Sequence, residues 1–544
     1  MSEKIEIDYI IVGAGTAGCI LAGRLSEDPL ARILVLEAGG NDNDPWIKIP
    51  IGWAKMRKEE KYDWGYYTEP EPNADSRKIE IARGKVLGGC WSVNAMAYVR
   101  GNPADYNRWG AAGLRDWDYS HLLPYFRRSE DFVGGSSKYR GSDGPIRVSQ
   151  GRFKDPLNEA CLSSVMSLGY KWSDDFNGKD SDGFGISQQT IRGGHRESGV
   201  TAYLRPAIKR GNIDLRLRSQ VIGVDFKGKR AVGVTYINGD GKKISVKATK
   251  EVILCGGVIN TPQLLMLAGI GDAEELSSHG ITVRVDSENV GKNLQDHISA
   301  GVSYRRRDFS PFLRQMRLDQ LALNIPRAYF FGTGPAAHYP IGYMGFVKSE
   351  PSIPSPDTQF IFSAGPANAY PWFPGIRKPF PNTFGCRAIA VLPKSRGKVE
   401  LVSSDPMDLM SIRQNFFEDK ADLKVLRLGI RKIREFLGQS HLEEFRGEEL
   451  APGPNLNSDD ELDDYIRRTC FTTHHPLGTC RMGVDKKSVV DEKLAVRGVE
   501  GLRVVDASVM PDATSGNINA AVIAIAEKAS DIIRGRPSLE PADI

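Results

Sequence analysis

The stretch IDYIIVGAGTAGCILAGRLSEDPLARILVLEAGG, residues 7–40, constrains the fold more than any other part of the chain. The apolar run Ile7 to Val12 reads as a buried strand, and a helical pattern continues through Leu21 and Leu25. Between them stands Gly13-Ala14-Gly15-Thr16-Ala17-Gly18. Gly13 permits a tight turn, Gly15 lets a pyrophosphate approach the backbone, and Gly18 allows the helix to pack closely on the strand. Thr16 and Ala17 open the helix, whose free N–H groups and positive dipole end suit phosphate. A second apolar strand, Ile33 to Leu36, ends at Glu37, about 20 residues after the glycines, where a carboxylate can accept from ribose hydroxyls. Strand, turn, helix, strand and acid in this order predict a dinucleotide-binding α/β unit, without separating FAD from NAD. No second such unit follows, which argues against a reductase carrying both FAD and NADPH.

The remaining 500 residues must supply more than one further layer of structure. At 544 residues the chain exceeds the ~250–300 at which one core stops growing, so at least two packed units are expected. Its 40% hydrophobic and 26% charged residues fit a globular protein. Lys+Arg 72 against Asp+Glu 68 leaves +4 with no long basic block, which argues against a nucleic-acid partner. The opening MSEKIEIDYIIVG lacks the basic and apolar regions of a secretory leader. No apolar run approaches the ~20 residues of a membrane span, which leaves peripheral membrane contact open, and the oligomeric state with it. Seven scattered cysteines, never spaced as CxxC, argue against a disulfide scaffold and a cysteine-rich zinc site, and fit a reducing cytoplasm.

Three later segments repeat the glycine logic. In ARGKVLGGCWSVNAMAYVRG (82–101), Gly88-Gly89 permits backbone contact with a flat ligand, and Ser92 and Asn94 offer short polar groups. EVILCGGVINTPQLLMLAGIG (251–271) runs from a buried strand into glycines, with Thr261 expected as helix cap and Pro262 in the first turn. In 501–535 a strand leads to Asp506, a polar loop, and an apolar helix closed by Gly535; Asn, Ser and Gly before that helix are expected to cap it. With VGKNLQDH (290–297) and HHPLGTCRMG (474–483), these motifs in this order resemble the glucose–methanol–choline (GMC) family of FAD-dependent oxidoreductases.

The resemblance implies a discontinuous Rossmann-like FAD-binding domain (1–155, 195–300, 470–544) and an α+β substrate domain with an antiparallel sheet (156–194, 301–469). It extends the cofactor-contacting set to Ala38, Trp64, Val86, Ala95, Met96, Val221, His474, Asp506 and Ala507. Some relatives attach flavin through a histidine where this chain has Val93, so FAD is expected to be held noncovalently. Cys90-Trp91 departs from the small residues usual in that loop and puts an indole near it; Val258 and Ala268 are further departures.

His474 and His475 are two of only eight histidines. A residue before proline avoids helical backbone, so His475 is expected to be extended, and adjacent side chains there face opposite ways. The two imidazoles should therefore not share one job. Resemblance carries the catalytic base onto His475 and its hydrogen-bonding partner onto Asn519; His474 is a flavin neighbour or a structural residue. An alcohol needs a base for its hydroxyl proton, a group fixing its oxygen, and an electron acceptor at its α-carbon, which these supply with FAD. Zinc at His475 and Cys480 would lack a third ligand, and no G-x-S-x-G elbow supports a hydrolase.

Residues 301–390 are rich in aromatics, glycine and proline, which argues against long helices there; helical patterning resumes over 420–437. Tyr343, Phe346, Trp372 and Phe373 are candidates for a cavity wall, although ordinary core placement suits them too. The expected reaction is oxidation of a primary alcohol, aromatic or aliphatic ahead of a sugar or choline, with electrons passed to a quinone-like acceptor. The alternatives are an oxidase using O2 and a non-redox lyase of the same family.

Overall fold

The computed structural model describes residues 6–366 and 368–544. The first five residues, part of the opening read as lacking a leader, lie outside them. Two seven-stranded sheets organise the chain. In the first, Ile7–Val12 lies between Ile33–Leu36 and the long strand Lys243–Leu254, parallel to both. Ile213–Arg216 extends this sheet on one side and Leu502–Val504 pairs with the far end of Lys243–Leu254. These central strands are apolar on both faces because helices cover both sides, as parallel sheets require. The near end of Lys243–Leu254 instead joins the antiparallel ribbon Arg230–Ile237 and Gln220–Lys227.

The second sheet is antiparallel throughout, in the order Arg446–Ala451, Ile298–Arg306, Thr383–Ala390, Thr358–Ser363, Tyr343–Val347, Gly183–Ile186. Helix Lys420–Gly438, matching the sequence pattern to within a residue, backs it. Gly429 makes this packing possible: a Cβ there would fall 2.5 Å from Cβ of Ala388. Ile298–Arg306 begins before the expected boundary at 300, and Phe471–Thr472 pairs with this sheet although the expected boundary lies at 470. Both crossings bring the histidine segment to the seam between the sheets.

The helix after Lys243–Leu254 departs from expectation. It runs Gly257–Leu267, so Thr261 and Pro262 lie inside it and Thr261 is not the cap. Proline at 262 cannot donate to the carbonyl four residues earlier. That carbonyl, of Val258, accepts instead from Thr479 Oγ1 at 2.6 Å. Asp506 performs the capping from a distant segment, accepting from Gly257 N–H at 2.9 Å and Thr261 Oγ1 at 2.6 Å. Helix Asn519–Ile533 likewise begins without a side-chain cap, because Ile518 occupies the cap position rather than Asn, Ser or Gly. Among the described residues, no helix is long and apolar enough to cross a membrane.

Candidate functional site

A cavity of about 790 Å³ opens along the seam, reaching from the first glycine cluster to the histidine pair. At one end Gly13 adopts φ +99°, and a Cβ there would strike Cys255 O at 2.5 Å. Gly18 packs where a Cβ would meet Gly13 O, so it serves helix–strand contact and does not line the cavity. A Cβ on Gly15 would meet nothing within 4 Å: its backbone faces open space of the kind a pyrophosphate needs. Glu37 is buried and accepts N–H groups of Ala14 and Gly39, each at 2.8 Å. Burial pushes its carboxyl up to about 7, against the pull of those N–H groups and Lys85.

Thr16, Ala17, Ala38, Trp64, Gly89, Asn94, Ala95, Met96, Val221, Asp506 and Ala507 also line the cavity, as do Cys90 and Val93. Val86, Gly88 and Ser92 do not. Val86 is packed with Ile47 and Met56; a Cβ on Gly88 would meet Ser92 Oγ; and Ser92 Oγ donates to Leu87 O at 2.7 Å. These three shape the loop from behind. Trp91, expected to intrude near it, is fully buried on the other side with its indole N–H toward Thr190 Oγ1 at 3.4 Å. Tyr343, Phe346, Trp372 and Phe373 are absent from the cavity wall. The wall is built by their neighbours instead: Tyr343 turns away to donate to Glu159, and the next residue, Met344, faces inward.

At the other end, Asp296 accepts from His475 N–H at 2.8 Å and from the Thr472 hydroxyl, pinning the chain just before Pro476. Burial pushes its carboxyl up to about 6, against the Thr472 bond and the charge of Arg83. Thr473 Oγ1 donates to His297 O at 3.1 Å, so its lone pair accepts from His475 Nδ1–H at 2.9 Å. His297 Nδ1 lies 3.1 Å from the same nitrogen. The other ring nitrogen, Nε2, is left with its lone pair, and Asn517 Nδ2 approaches it at 3.1 Å. Gln359 Nε2 donates to Asn517 Oδ1 at 3.4 Å and so orients that amide. Burial, then His297, Arg83 and His474, hold His475 well below the ordinary histidine pKa. Burial likewise holds His297 down at about 4, against the backbone carbonyls of Val391 and Thr514. Both rings are neutral at neutral pH.

Asn519 does not reach His475. As the first residue of its helix it accepts from Thr16 Oγ1 at 2.8 Å, joining two helices beside the glycine loop. His474 has the uncommon φ of +62°, which turns its ring away from that of His475. Its Nδ1 accepts from Ala82 N–H at 3.2 Å, leaving Nε2 a donor that is buried and unpartnered on the cavity wall.

Family models of GMC oxidoreductases match residues 7–299 and 393–526. The chain belongs to the GMC oxidoreductase family. It is 42% identical to mitochondrial choline dehydrogenase of Homo sapiens, covering 100% of this chain and 92% of that one. With oxygen-dependent choline dehydrogenase of Rhizobium rhizogenes it shares 39%, over 98% and 97%. Among solved structures, pyridoxine 4-oxidase from Mesorbium loti superposes with a TM-score of 0.87 at 30% identity, over 98% and 100% of the two chains. Formate oxidase does so with 0.89 at 29%, over 97% and 98%.

As a GMC oxidoreductase the protein is an FAD-dependent enzyme acting on CH–OH donors. The cavity fits FAD on its own evidence: open space over Gly15, the Glu37 carboxylate, the uncapped helix end at Ile518 and the orphaned His474 Nε2. Sequence reasoning missed Asn517, Gln359, Asp296, His297 and Thr473. Asp296 and His297 stood in the quoted VGKNLQDH motif without an assigned role. Asn517 stood two residues from the asparagine that was chosen.

Proposed function

We propose that this GMC oxidoreductase oxidises a primary alcohol to its aldehyde with His475 as base, and that Asn517 replaces Asn519 as the residue holding the substrate oxygen. The observation that carries the reading is that His475 Nε2 carries the ring's lone pair on the cavity wall and accepts there from the Asn517 amide N–H at 3.1 Å. An alcohol entering there donates its O–H to Nε2 and accepts from Asn517 Nδ2. Proton transfer to such a positioned base contributes roughly 10²–10⁴-fold. Thr473 Oγ1 and His297 Nδ1 meet the opposite nitrogen and stabilise the imidazolium that results. Bound FAD supplies the hydride acceptor for the alcohol carbon. Val93 offers no nucleophile to the ring, which supports noncovalent attachment. Gly13, Gly15, Thr16, Ala17, Glu37, Ala38, Gly89, Asn94 to Met96, Val221, His474, Asp506 and Ala507 would hold the cofactor along the cavity, and Asn519, also on the wall, is bonded to Thr16.

The reading extends to a quinone-like electron acceptor rather than O2. All seven cysteines are free thiols, which supports a cytoplasmic location. The test is a screen of alcohols under air and under argon with an artificial acceptor. Turnover under argon with little H2O2 under air supports the dehydrogenase; rapid H2O2 release makes it an oxidase. Failure of every alcohol to bleach the flavin absorbance under argon contradicts alcohol oxidation and favours the lyase alternative.

A further inference from the structure

Arg387 stands in the middle of the apolar strand Thr383–Ala390 of the antiparallel sheet. Its neighbours Cys386 and Ala388 turn to the core, Ala388 against helix Lys420–Gly438, so Arg387 and Ile389 project from the opposite face into the cavity. There the guanidinium lies over the Phe471 ring, Cζ 4.0 Å from its centroid. Among the described residues no carboxylate lies within 4.0 Å of it and no side-chain or backbone acceptor receives a hydrogen bond from it. The fully buried arginines, by contrast, each have protein acceptors. Arg100 meets Glu130 at 2.6 Å and Arg306 meets Asp155 at 2.7 Å. Arg196 donates to the backbone carbonyls of Ile47, Trp91 and Asn94.

Arg387 is partly exposed inside the cavity, and its five donors, without a protein acceptor, are open to an anionic group that enters there. Tyr339, on the same wall, brings a second unpartnered donor, and Arg57 adds positive charge. Burial and the nearby Arg57 push Arg387 down to about 10. The carboxylates that do reach the cavity are Glu37 and Asp506 on the dinucleotide side and Glu59, Glu60 and Asp63 at its rim segment. A quaternary ammonium asks for the reverse, aromatic faces without a competing cation.

We propose that the alcohol this enzyme oxidises carries a carboxylate, and that Arg387 binds it bidentately across the cavity from His475 and Asn517. The inference rests on the alcohol entering between those two residues, as argued above. The carboxylate is unchanged in the reaction. The hydroxyl proton goes to His475, and FAD, when bound, would supply the acceptor for the hydride that leaves the alcohol carbon. Guanidinium and carboxylate match in planar geometry, and loss of such charge-assisted bonds weakens binding about 10- to 100-fold.

Two measurements on the holoenzyme separate this from the base assignment. In the first, the flavin spectrum is titrated with benzoate and with benzamide, which need no turnover. Benzoate is expected to bind at least about tenfold more tightly than benzamide, and Arg387→Met to erase the difference while benzamide binding stays. In the second, kcat/KM is compared for 4-(hydroxymethyl)benzoate, 4-(hydroxymethyl)benzamide and choline. The carboxylate is expected to lead, and Arg387→Met to raise its KM about 10- to 100-fold while turnover of the amide persists. Equal binding of benzoate and benzamide, or choline outrunning the carboxylate, overturns the proposal. If no alcohol is oxidised but benzoate still binds through Arg387, the base reading fails and the anion site stands.

Discussion

Asn517 Nδ2 donates to His475 Nε2 at 3.1 Å, the ring nitrogen that carries the lone pair. Asn519, two residues on, is committed to Thr16. The two asparagines should therefore respond differently to alanine. Asn517→Ala is expected to slow alcohol-dependent flavin reduction about 10²-fold, the scale of losing one donor to a reacting oxygen. Asn519→Ala should leave that step within a few-fold and instead cost about 1 kcal/mol of stability through the lost Thr16 bond. Single-turnover reduction and thermal melting of both variants check this; equal kinetic losses would contradict it.

The pH dependence follows from the neutral His475. Its active form is unprotonated, and burial holds its pKa well below 6.5. The reduction rate constant should therefore be flat above neutrality. It should fall tenfold per pH unit only once the pH has passed well below 6.5. A rate still climbing between pH 7 and 9 would assign the titration to another group.

FAD should leave the protein on denaturation. Acid precipitation is expected to release all the yellow colour into the supernatant, since Val93 stands on the cavity wall where some relatives carry a linking histidine. Colour retained in the washed precipitate would show a covalent bond to another side chain.

The Thr479–Val258 bond compensates for Pro262 inside its helix. Thr479→Val should leave the Val258 carbonyl unsatisfied and cost about 1–3 kcal/mol. Adding Pro262→Ala should recover part of that loss by restoring the helical N–H. A double mutant no more stable than Thr479→Val alone would refute the compensation; denaturant titration measures it.

The dinucleotide end was legible because its requirements are local. Gly18 answers to the carbonyl of Gly13 in the same turn, and Glu37 follows at a fixed interval. The catalytic end depends on which of several similar residues the tertiary fold selects. In GNINAAV the helix starts at Asn519, which turns that side chain toward Thr16 and leaves the loop residue Asn517 for His475. On the strand Tyr343–Val347 a shift of one residue exchanges cavity for exterior, so Tyr343 was chosen where Met344 faces inward. Thr261 looked like a cap because a capping carboxylate 245 residues away, Asp506, has no local signature. Arg387 did leave a trace, a lone cation in FGCRAIAVL, which alternation alone would have flagged.

The most direct test of the account is anaerobic mixing of alcohol with FAD-loaded wild-type protein and with His475→Ala. The account predicts rapid bleaching of the flavin absorbance in the wild type. In the variant it predicts a rate lower by about 10²–10⁴-fold with FAD still fully bound. A loss of only a few-fold, with the cofactor retained, would remove His475 from the proton-accepting role and the mechanism with it.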